Sequence, residues 1–356
     1  MLQTMITGSL PRPTWLAPPR QISAVSLLLA DTALQEGQDD AVRLALTDQQ
    51  EAGLDIVTDG EQRRRHYIWG FTEGLSGIDF SNMVKKETRG GRYKTLVDVA
   101  RVTEPVRRPG SIFLDALRFL KQRTTQPVKV TLPGPMTTAD TLADEHYGET
   151  RRLAADLAQV LNEEACELAE NGCDIIQFDE PCFNIYLDDV EDWGIDMLEV
   201  AAKGVQAKTA VHICYGYGIP LVLAWKTTNT DWNHYQRTLP LLRTSSIDMI
   251  SVECAASGVD PSALGLAKGK DIMVGVIDVG TEEVETPAIV AERIRAALPH
   301  VAADQLYPCT DCGMIPRSRT AARGKMKALA DGAWLVRTEL ESEMIAGIPR
   351  VGRPKK

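Results

Sequence analysis

The stretch Arg152–Pro181 reads RLAADLAQVLNEEACELAENGCDIIQFDEP and joins a helix pattern directly to a strand pattern. In its first part, apolar side chains recur every three or four residues, which is typical of an α-helix with one buried face. Asn171-Gly172 is a common helix stop, and the β-rich run Asp174–Phe178 follows at once. A strand that follows a helix so closely predicts a parallel sheet covered by helices.

The same alternation extends along the whole chain. Short β-rich runs, most of them separated by segments long enough for a helix, occur eight times: Thr4–Thr7, Asp55–Thr58, Val128–Leu132, Asp174–Phe178, Thr209–Ile213, Met249–Val252, Ile272–Ile277 and Gln305–Tyr307. Eight parallel strands predict an α/β fold of the (β/α)8 TIM barrel type. We expect residues 1–356 to form one catalytic barrel domain.

The connection between the second and third runs is too long for an ordinary loop. We expect residues 62–126 to be an elaborated insertion with its own secondary structure. Gly90-Gly91 suggests a hairpin tip, and Ile112–Gln122 is typical of a helix. The basic run Arg63-Arg64-Arg65 is interpreted as a solvated loop or helix start rather than as a site for an acidic tail of a substrate.

The composition argues against several classes of protein. The 356 residues are 44% hydrophobic and 25% charged, and the net charge of −10 is unlike the basic surface of a nucleic-acid binder. No apolar run approaches the ~18 residues of a membrane span, and the N-terminus lacks a secretory pattern. We expect a cytoplasmic protein without nucleic-acid or membrane partners, whose seven cysteines are reduced thiols, some of them metal ligands.

Polar, reactive or glycine-bearing residues stand just after each predicted strand, where the active site of a (β/α)8 enzyme is assembled. They are Gly8-Ser9, Asp59-Gly60-Glu61, Pro133-Gly134-Pro135, Asp179-Glu180-Pro181, His212-Ile213-Cys214, Glu253-Cys254, Asp278 and Cys309 to Cys312. Asp and Gly also mark ordinary turns, and for Asp59, Gly134 or Asp278 alone that interpretation is as good as a functional one. It explains the His, Cys and Glu positions poorly, because a turn does not need these residue types.

Four of these side chains match the ligands that zinc accepts, which are thiolate, imidazole and carboxylate. His212 and Cys214 are alternate residues at a strand end, so both point to the same face. Glu253 ends the next strand, and Cys312 follows the last one. Taken singly, His212 is typical of an interior histidine, Cys214 of a small buried residue, and Cys309-x-x-Cys312 of a redox pair or of half a structural zinc knuckle. Their joint placement favours one zinc site made by His212, Cys214, Glu253 and Cys312.

Eight short motifs, in order along nearly the whole chain, resemble the catalytic barrel of cobalamin-independent methionine synthase. They are TGSLPRP near the start, DGE at Asp59–Glu61, LPGP at Leu132–Pro135, FDEP at Phe178–Pro181, H-I-C at His212–Cys214, SVE ending at Glu253, GVID at Gly275–Asp278 and DCG at Asp311–Gly313. Full-length enzymes of that family have two barrels, and this chain resembles the short branch with the catalytic one alone. The resemblance implies a zinc-dependent methyltransferase that makes methionine, with zinc on His212, Cys214, Glu253 and Cys312.

The resemblance also implies how homocysteine is held. The family's substrate-binding residues fall on Ser9, at the carboxylate end, and on Glu61 and Asp179, at the ammonium. A buried substrate cation must be paired, and two carboxylates at strand ends can do this. Helix capping or loop hydrogen bonding is the alternative for both carboxylates. Glu253 is the zinc ligand most able to loosen as the substrate sulfur enters, and Asp278 is the other candidate catalytic residue.

Two departures from the family pattern argue against methylated folate as the methyl donor. The family's proton-handling histidine falls on Gly280, and Thr138–Thr141 contains no tryptophan to stack on a pteridine. HICYGYG at His212–Gly218 and YPCTDCGM at Tyr307–Met314 resemble short methionine synthases that act with a partner protein and oxygen. The expected partners are homocysteine, a methyl donor (methylated folate, methylcobalamin or another) and a protein that delivers or generates the methyl group. Cys309 is interpreted as a packing or supporting thiol.

Two other functions stay open. The related epoxyalkane:coenzyme M transferases keep the zinc-bound thiolate but bind a sulfonate, for which cationic side chains are expected in place of Glu61 and Asp179. A non-catalytic structural zinc protein would have four closed ligands and no substrate carboxylates at the same strand ends. Uroporphyrinogen decarboxylase is similar in fold alone, because it lacks the zinc residues.

Overall fold

The computed structural model describes residues 1–21, 26–92, 94, 96–217, 222–224, 226 and 234–345. Within them the strands are β1 Ser76–Glu87, β2 Leu96–Arg107, β3 Lys129–Pro133, β4 Ala143–Asp144, β5 Ile175–Asp179, β6 Lys208–Ile213, β7 Met249–Val252, β8 Asp271–Ile277 and β9 Leu306–Thr310. The α-helices are α1 Asp31–Ala52, α2 Trp69–Thr72, α3 Leu114–Lys121, α4 Pro135–Asp140, α5 Thr150–Glu170, α6 Leu187–Asp189, α7 Ile195–Ala202, α8 His234–Thr244, α9 Pro287–Ala297 and α10 Arg319–Ile345. Gly218, the end of the HICYGYG motif, lies outside the described residues.

The chain divides into two compact units. Unit 1 comprises Met1–Gln21, Leu27–Gln62 and Met249–Lys356, and unit 2 comprises Ile22–Ser26 and Arg63–Asp248. Among the described residues, none of the helices combines the length and the apolar character that a membrane span requires.

Unit 2 contains the parallel strands β3, β5 and β6, in that order. Their carboxyl ends are aligned, since Pro133 pairs with Asp179 and Asp179 pairs with His212. Helix α5 precedes β5 and buries the predicted apolar stripe, including Leu153, Leu157 and Leu161. The register therefore places the last side chains of neighbouring strands side by side.

The segment predicted to be an insertion contains a pair of strands and a helix. Strands β1 and β2 pair antiparallel, and the turn at Arg89–Gly91 lies between them with both glycines in the left-handed region. Helix α3 buries Leu114, Leu117 and Leu120 on one face. The hairpin and the helix are thus close to the positions expected from the sequence.

The interpretation of Arg63-Arg64-Arg65 as a solvated segment is wrong for Arg64. Its side chain is buried, its Nη1 donates to Thr131 Oγ1 over 2.9 Å, and its guanidinium lies 4.2 Å from the centre of the Phe113 ring. A hydroxyl acceptor on β3 and an aromatic face together bury an arginine that local sequence pattern assigns to the surface.

Unit 1 contains the parallel strands β7, β8 and β9. The segments Thr4–Thr7 and Asp55–Thr58 are not regular strands in the described structure, which corrects the prediction for these two runs; the first lies beside β9 and the second beside Thr4. Met5 N donates to Pro308 O, and Ile56 N donates to Thr4 O. Side-chain oxygens accept from two further backbone donors: Thr4 N donates to Asp55 Oδ2 over 2.7 Å, and Thr7 N donates to Thr310 Oγ1 over 3.0 Å. Side-chain acceptors therefore replace part of the regular ladder.

Candidate functional site

An imidazole and a thiol lie together at the end of β6. His212 is the second-to-last residue of β6, and Cys214 lies two residues further along the chain. Residues at this spacing face the same side of a strand. Both side chains are buried. A ligand atom of the imidazole and the sulfur of the thiol lie within 4.8 Å of each other. Burial would lower the pKa of His212, but the Cys214 sulfur beside it, together with Asp179, raises that pKa overall.

The insertion supports the loop that carries Cys214. The side-chain amide of Asn184 donates to the Cys214 carbonyl. Arg92, at the hairpin tip, donates to both the side-chain and the main-chain oxygen of Asn184, the latter over 2.9 Å. Sequence reasoning missed Asn184 and Arg92, because neither belongs to a motif and the contact depends on how the hairpin folds back.

Asp179 ends β5 next to His212 in the strand register, and its side chain is buried. Gln177 Nε2 donates to Asp179 Oδ1 over 2.7 Å, and Lys129 Nζ donates to Gln177 Oε1 over 2.6 Å. The sequence predicted this carboxylate as a partner for a substrate ammonium, and that role stays a prediction. The lysine and glutamine behind it were not predicted.

Glu180, the neighbour of Asp179, has a structural role. It is fully buried and accepts hydrogen bonds from Met136 N, Thr137 N and Thr137 Oγ1 at 2.7 to 2.9 Å, at the start of α4. Burial raises the pKa of Glu180 to about 7, although these bonds oppose the shift. A Cβ on Gly134 would lie 2.2 Å from Glu180 Cδ, so only glycine fits there. This contact is a physical reason why the LPGP and FDEP motifs occur together in one chain: the glycine of the first leaves space for the glutamate of the second.

Unit 1 brings the loops of Ser9 and Glu61 together. Leu10 N donates to Gly60 O over 3.0 Å, and Gln62 Nε2 donates to Leu10 O over 2.9 Å. Ser9 and Glu61 are both buried, and Glu61 has a positive φ of 57°, which is uncommon for a residue with a side chain. Asp59 Oδ1 stabilises this backbone by accepting from Glu61 N over 2.9 Å.

The Cys312 loop lies against Ser9 in the same unit. Met314 N donates to Ser9 O over 2.8 Å, and a Cβ on Gly313 would lie 2.0 Å from Ser9 Oγ. The glycine of the DCG motif is therefore required by this close approach. Cys309, three residues before Cys312, is buried within β9 and forms no disulfide with it.

Asp311 ties the Cys312 loop to the segment that follows Glu253. Its Oδ1 accepts from Cys254 N and Ala255 N over 3.0 Å each, and its Oδ2 accepts from Ala256 N over 2.6 Å. Glu253 itself is fully buried. Asp311 thus orients both the Cys312 loop and the segment after Glu253. The DCG motif marks the position of Asp311 in the sequence but does not indicate this role.

Gly275→Ala is expected to destabilise the protein, because the added Cβ would lie 2.1 Å from Asp311 Oδ1. Relief of that overlap must displace the carboxylate and the loop it holds, at a cost of about 1–3 kcal/mol in the free energy of unfolding. Urea denaturation measures the change. The matched control is Gly265→Ala, where no atom lies within 4 Å of the new Cβ. Equal effects of the two substitutions would contradict the role assigned to Gly275.

Asp278 takes part in a turn. Its Oδ1 accepts from Gly280 N over 2.6 Å, its own N donates to Glu285 Oε1 over 2.7 Å, and its carbonyl accepts from the buried Lys325. The turn interpretation of Asp278 is therefore supported, and its catalytic role stays a prediction.

The parallel α/β fold, with thiol, imidazole and carboxylate side chains at the strand ends, defines the class of the protein as an α/β enzyme. Residues 2–334 match the family described as "Cobalamin-independent synthase, Catalytic domain". The chain belongs to the cobalamin-independent methionine synthase family and is a methyltransferase, as the motifs predicted.

Similar proteins and solved structures agree with this family assignment. Methionine synthases of Sulfurisphaera tokodaii and Saccharolobus solfataricus are each 32% identical to the chain, covering 96% of it and 95% and 96% of their own lengths. A B12-independent methionine synthase of Shewanella sp. W3-18-1, in complex with selenomethionine, is 49% identical over 96% of this chain and 99% of that one, with a TM-score of 0.92. A Listeria monocytogenes structure at 20% identity, covering 94% of this chain and 99% of that one, has a TM-score of 0.69 and shows the fold alone. The predicted α/β class is confirmed, since the family's catalytic domain is a TIM barrel.

Proposed function

We propose that the chain transfers a methyl group to the thiol of homocysteine, with zinc as its cofactor, and so makes methionine. Methyl transfer to homocysteine is the activity of the family to which it belongs. Selenomethionine, an analogue of methionine, is bound in the Shewanella relative. The observation that carries the proposal is the pair of His212 and Cys214 at the end of β6 with the Asp179 carboxylate beside them in register.

The donor set at the strand ends fits zinc. We propose that His212 and Cys214 bind the ion together with Cys312 and Glu253; the first three can each offer one ligand atom. Thiolate, imidazole and carboxylate donors match zinc better than they match harder cations such as magnesium or calcium. Zinc bound there would hold the homocysteine sulfur as a thiolate, whereas a free thiol with a pKa of about 8.5 is mostly protonated at neutral pH.

The remaining site residues bind and orient the amino acid. Ser9 is proposed to receive the substrate carboxylate, and Glu61 and Asp179 its ammonium. Glu253 is the ligand proposed to yield as the substrate sulfur enters, and Asp278 is kept as a candidate for the proton that the reaction must move. Buried carboxylates suit a buried ammonium, because an unpaired charge away from water is costly.

The methyl donor and its delivery are also part of the proposal. We place the reaction in the cytoplasm, with a partner protein and oxygen as candidate requirements for supplying the methyl group. The experiment is to incubate the zinc-loaded protein with homocysteine and a panel of methylated folates, methylcobalamin and S-methyl compounds, with and without oxygen, and to assay methionine. Formation of methionine from none of these donors, also after addition of cell extract, would contradict the function.

Homocysteine is expected to release about one proton when it binds, because a thiol becomes a metal-bound thiolate. Calorimetry in buffers of different ionisation enthalpy counts that proton. Methionine, which has no thiol proton to lose, is the matched ligand and is expected to release none. Undiminished homocysteine binding by the zinc-free protein would show that the amino-acid site is independent of the metal.

A further inference from the structure

Three side chains of β3 and β5 form a buried polar chain that leads to Asp179. Lys129 and Gln177 are completely inaccessible to solvent, and Asp179 is 9% exposed. Lys129 Nζ donates to Gln177 Oε1 over 2.6 Å, and Gln177 Nε2 donates to Asp179 Oδ1 over 2.7 Å. The chain therefore runs from a buried ammonium through an amide to a carboxylate at the strand ends.

The chemistry of both neighbours determines the orientation of the Gln177 amide. A lysine ammonium carries donors and no acceptor, so the atom that faces Lys129 must be the amide oxygen. An ionised carboxylate is an acceptor only, so the atom that faces Asp179 must be the amide nitrogen. The glutamine cannot flip without breaking both bonds, and each bond involves a charged partner, which makes it stronger than a neutral hydrogen bond.

We propose that Lys129 and Gln177 are positioning residues that fix the carboxylate plane of Asp179 for the substrate ammonium. This inference rests on the proposed function, in which Asp179 binds homocysteine. The amide nitrogen fixes Oδ1, and the rotation of the side chain is thereby set, so the direction in which Oδ2 points is also set. A carboxylate held in one orientation loses less conformational entropy when it binds a cation.

Burial of Lys129 is consistent with a functional role. A buried charged group costs stability unless its partners compensate, and apolar residues of similar volume are often as stable or more stable. A strand interior that needed only packing would not require an ammonium at this position. The competing explanation is that Gln177 merely satisfies the lysine, and it predicts no effect on the ligand.

The test uses the full-length zinc-loaded protein and two ligands that differ by one group. Homocysteine carries the ammonium, and 4-mercaptobutyrate has the same thiol and carboxylate without it. The main variant is Lys129→Met with Gln177→Met, which replaces both polar partners with apolar side chains of similar length. Because Lys129 and Gln177 are replaced together, neither remains buried without the other, and within this chain of three side chains only Asp179 Oδ1 loses a donor, so this variant is expected to fold. Gln177→Met alone is the second variant.

The double variant is expected to bind homocysteine about tenfold more weakly, which corresponds to the loss of about one positioning hydrogen bond. Calorimetry should show an unchanged affinity for 4-mercaptobutyrate, and metal analysis should show an unchanged zinc content. In the Asp179→Asn background the same two substitutions should cause no further loss, because their effect acts through that carboxylate. A purely structural role would not produce this dependence.

The matched control is Thr209→Val, which removes the hydrogen bond from Thr209 Oγ1 to Asp248 Oδ2 at the opposite end of β6. It reports the effect of losing a partly buried side-chain hydrogen bond far from the carboxyl end of the strand, and it should leave both affinities unchanged. Equal weakening of both ligands by the double variant would overturn the positioning role, as would an unchanged homocysteine affinity when Asp179→Asn alone weakens binding. If Asp179→Asn has no effect, the proposed ammonium site itself is wrong.

Discussion

Cys214→Ser is expected to remove most of the zinc from the purified protein, and Cys312→Ser should do the same. A serine hydroxyl is a much poorer zinc ligand than a thiolate. Mutation of a residue that only supports a metal ligand typically costs about 10–100-fold in affinity. Loss of a ligand itself should therefore cost more than about 100-fold. Metal analysis after desalting measures the zinc that each variant retains, against about one zinc per chain in the unmodified protein.

The matched control for these variants is Cys166→Ser. Cys166 lies on α5, where its sulfur contacts the Lys203 carbonyl over 3.7 Å, and it belongs to none of the proposed ligands. This variant should keep its zinc. Full retention of zinc by both Cys214→Ser and Cys312→Ser, or no zinc in the unmodified protein after expression with the metal, would show that the proposed metal site is wrong.

Asp179→Asn is expected to weaken homocysteine binding by one to several powers of ten while leaving the zinc content near normal. Loss of a carboxylate partner from a desolvated ammonium costs on the order of 2–5 kcal/mol. Asparagine keeps the shape, but its one uncharged oxygen would accept from Gln177 Nε2, so its amide nitrogen, a donor, would face the substrate ammonium. Calorimetric titration with homocysteine measures the loss.

The control for Asp179→Asn is at the other end of the same strand. Asp174 accepts from Val128 N over 2.8 Å and from Lys121 Nζ over 3.2 Å, and Asp174→Asn removes a charge without approaching the proposed site. It should leave homocysteine affinity unchanged. The thiol 2-mercaptoethanesulfonate should bind the unmodified protein poorly and lose little in Asp179→Asn. Preference for that thiol, with homocysteine indifferent to the substitution, would move the protein to the epoxide-opening enzymes.

The sequence predicts those parts of the molecule that follow from local pattern. His212 and Cys214 alternate at a strand end, and that spacing alone places both on one face. Helix α5 follows from its apolar period and its Asn-Gly stop. Local pattern fails where a side chain replaces a backbone partner, as Asp55 does for Thr4. It also fails for Arg64, whose burial depends on an acceptor and an aromatic ring distant in sequence.

The groups that support the site are harder to predict than the groups that form it. A zinc ligand must be one of a few residue types, so its identity is visible in the sequence. A supporting side chain needs only a donor or acceptor at the right distance, and many residue types provide one. Gln177 and Asn184 are ordinary amides whose roles depend on strand register and on the fold of the insertion. Their significance is visible only when the partners are placed in space.

The contact between Arg92 and Asn184 bears on how such enzymes can be shortened or recombined. A designer who treats the β1–β2 hairpin as a dispensable surface extension would delete the guanidinium that orients Asn184, and with it a restraint on the carbonyl of Cys214. Exchange of hairpins between relatives would likewise transfer a part of the scaffold of the reactive loop. The hairpin and the Cys214 loop should therefore be kept together or exchanged together, although more than a hundred residues separate them in the sequence.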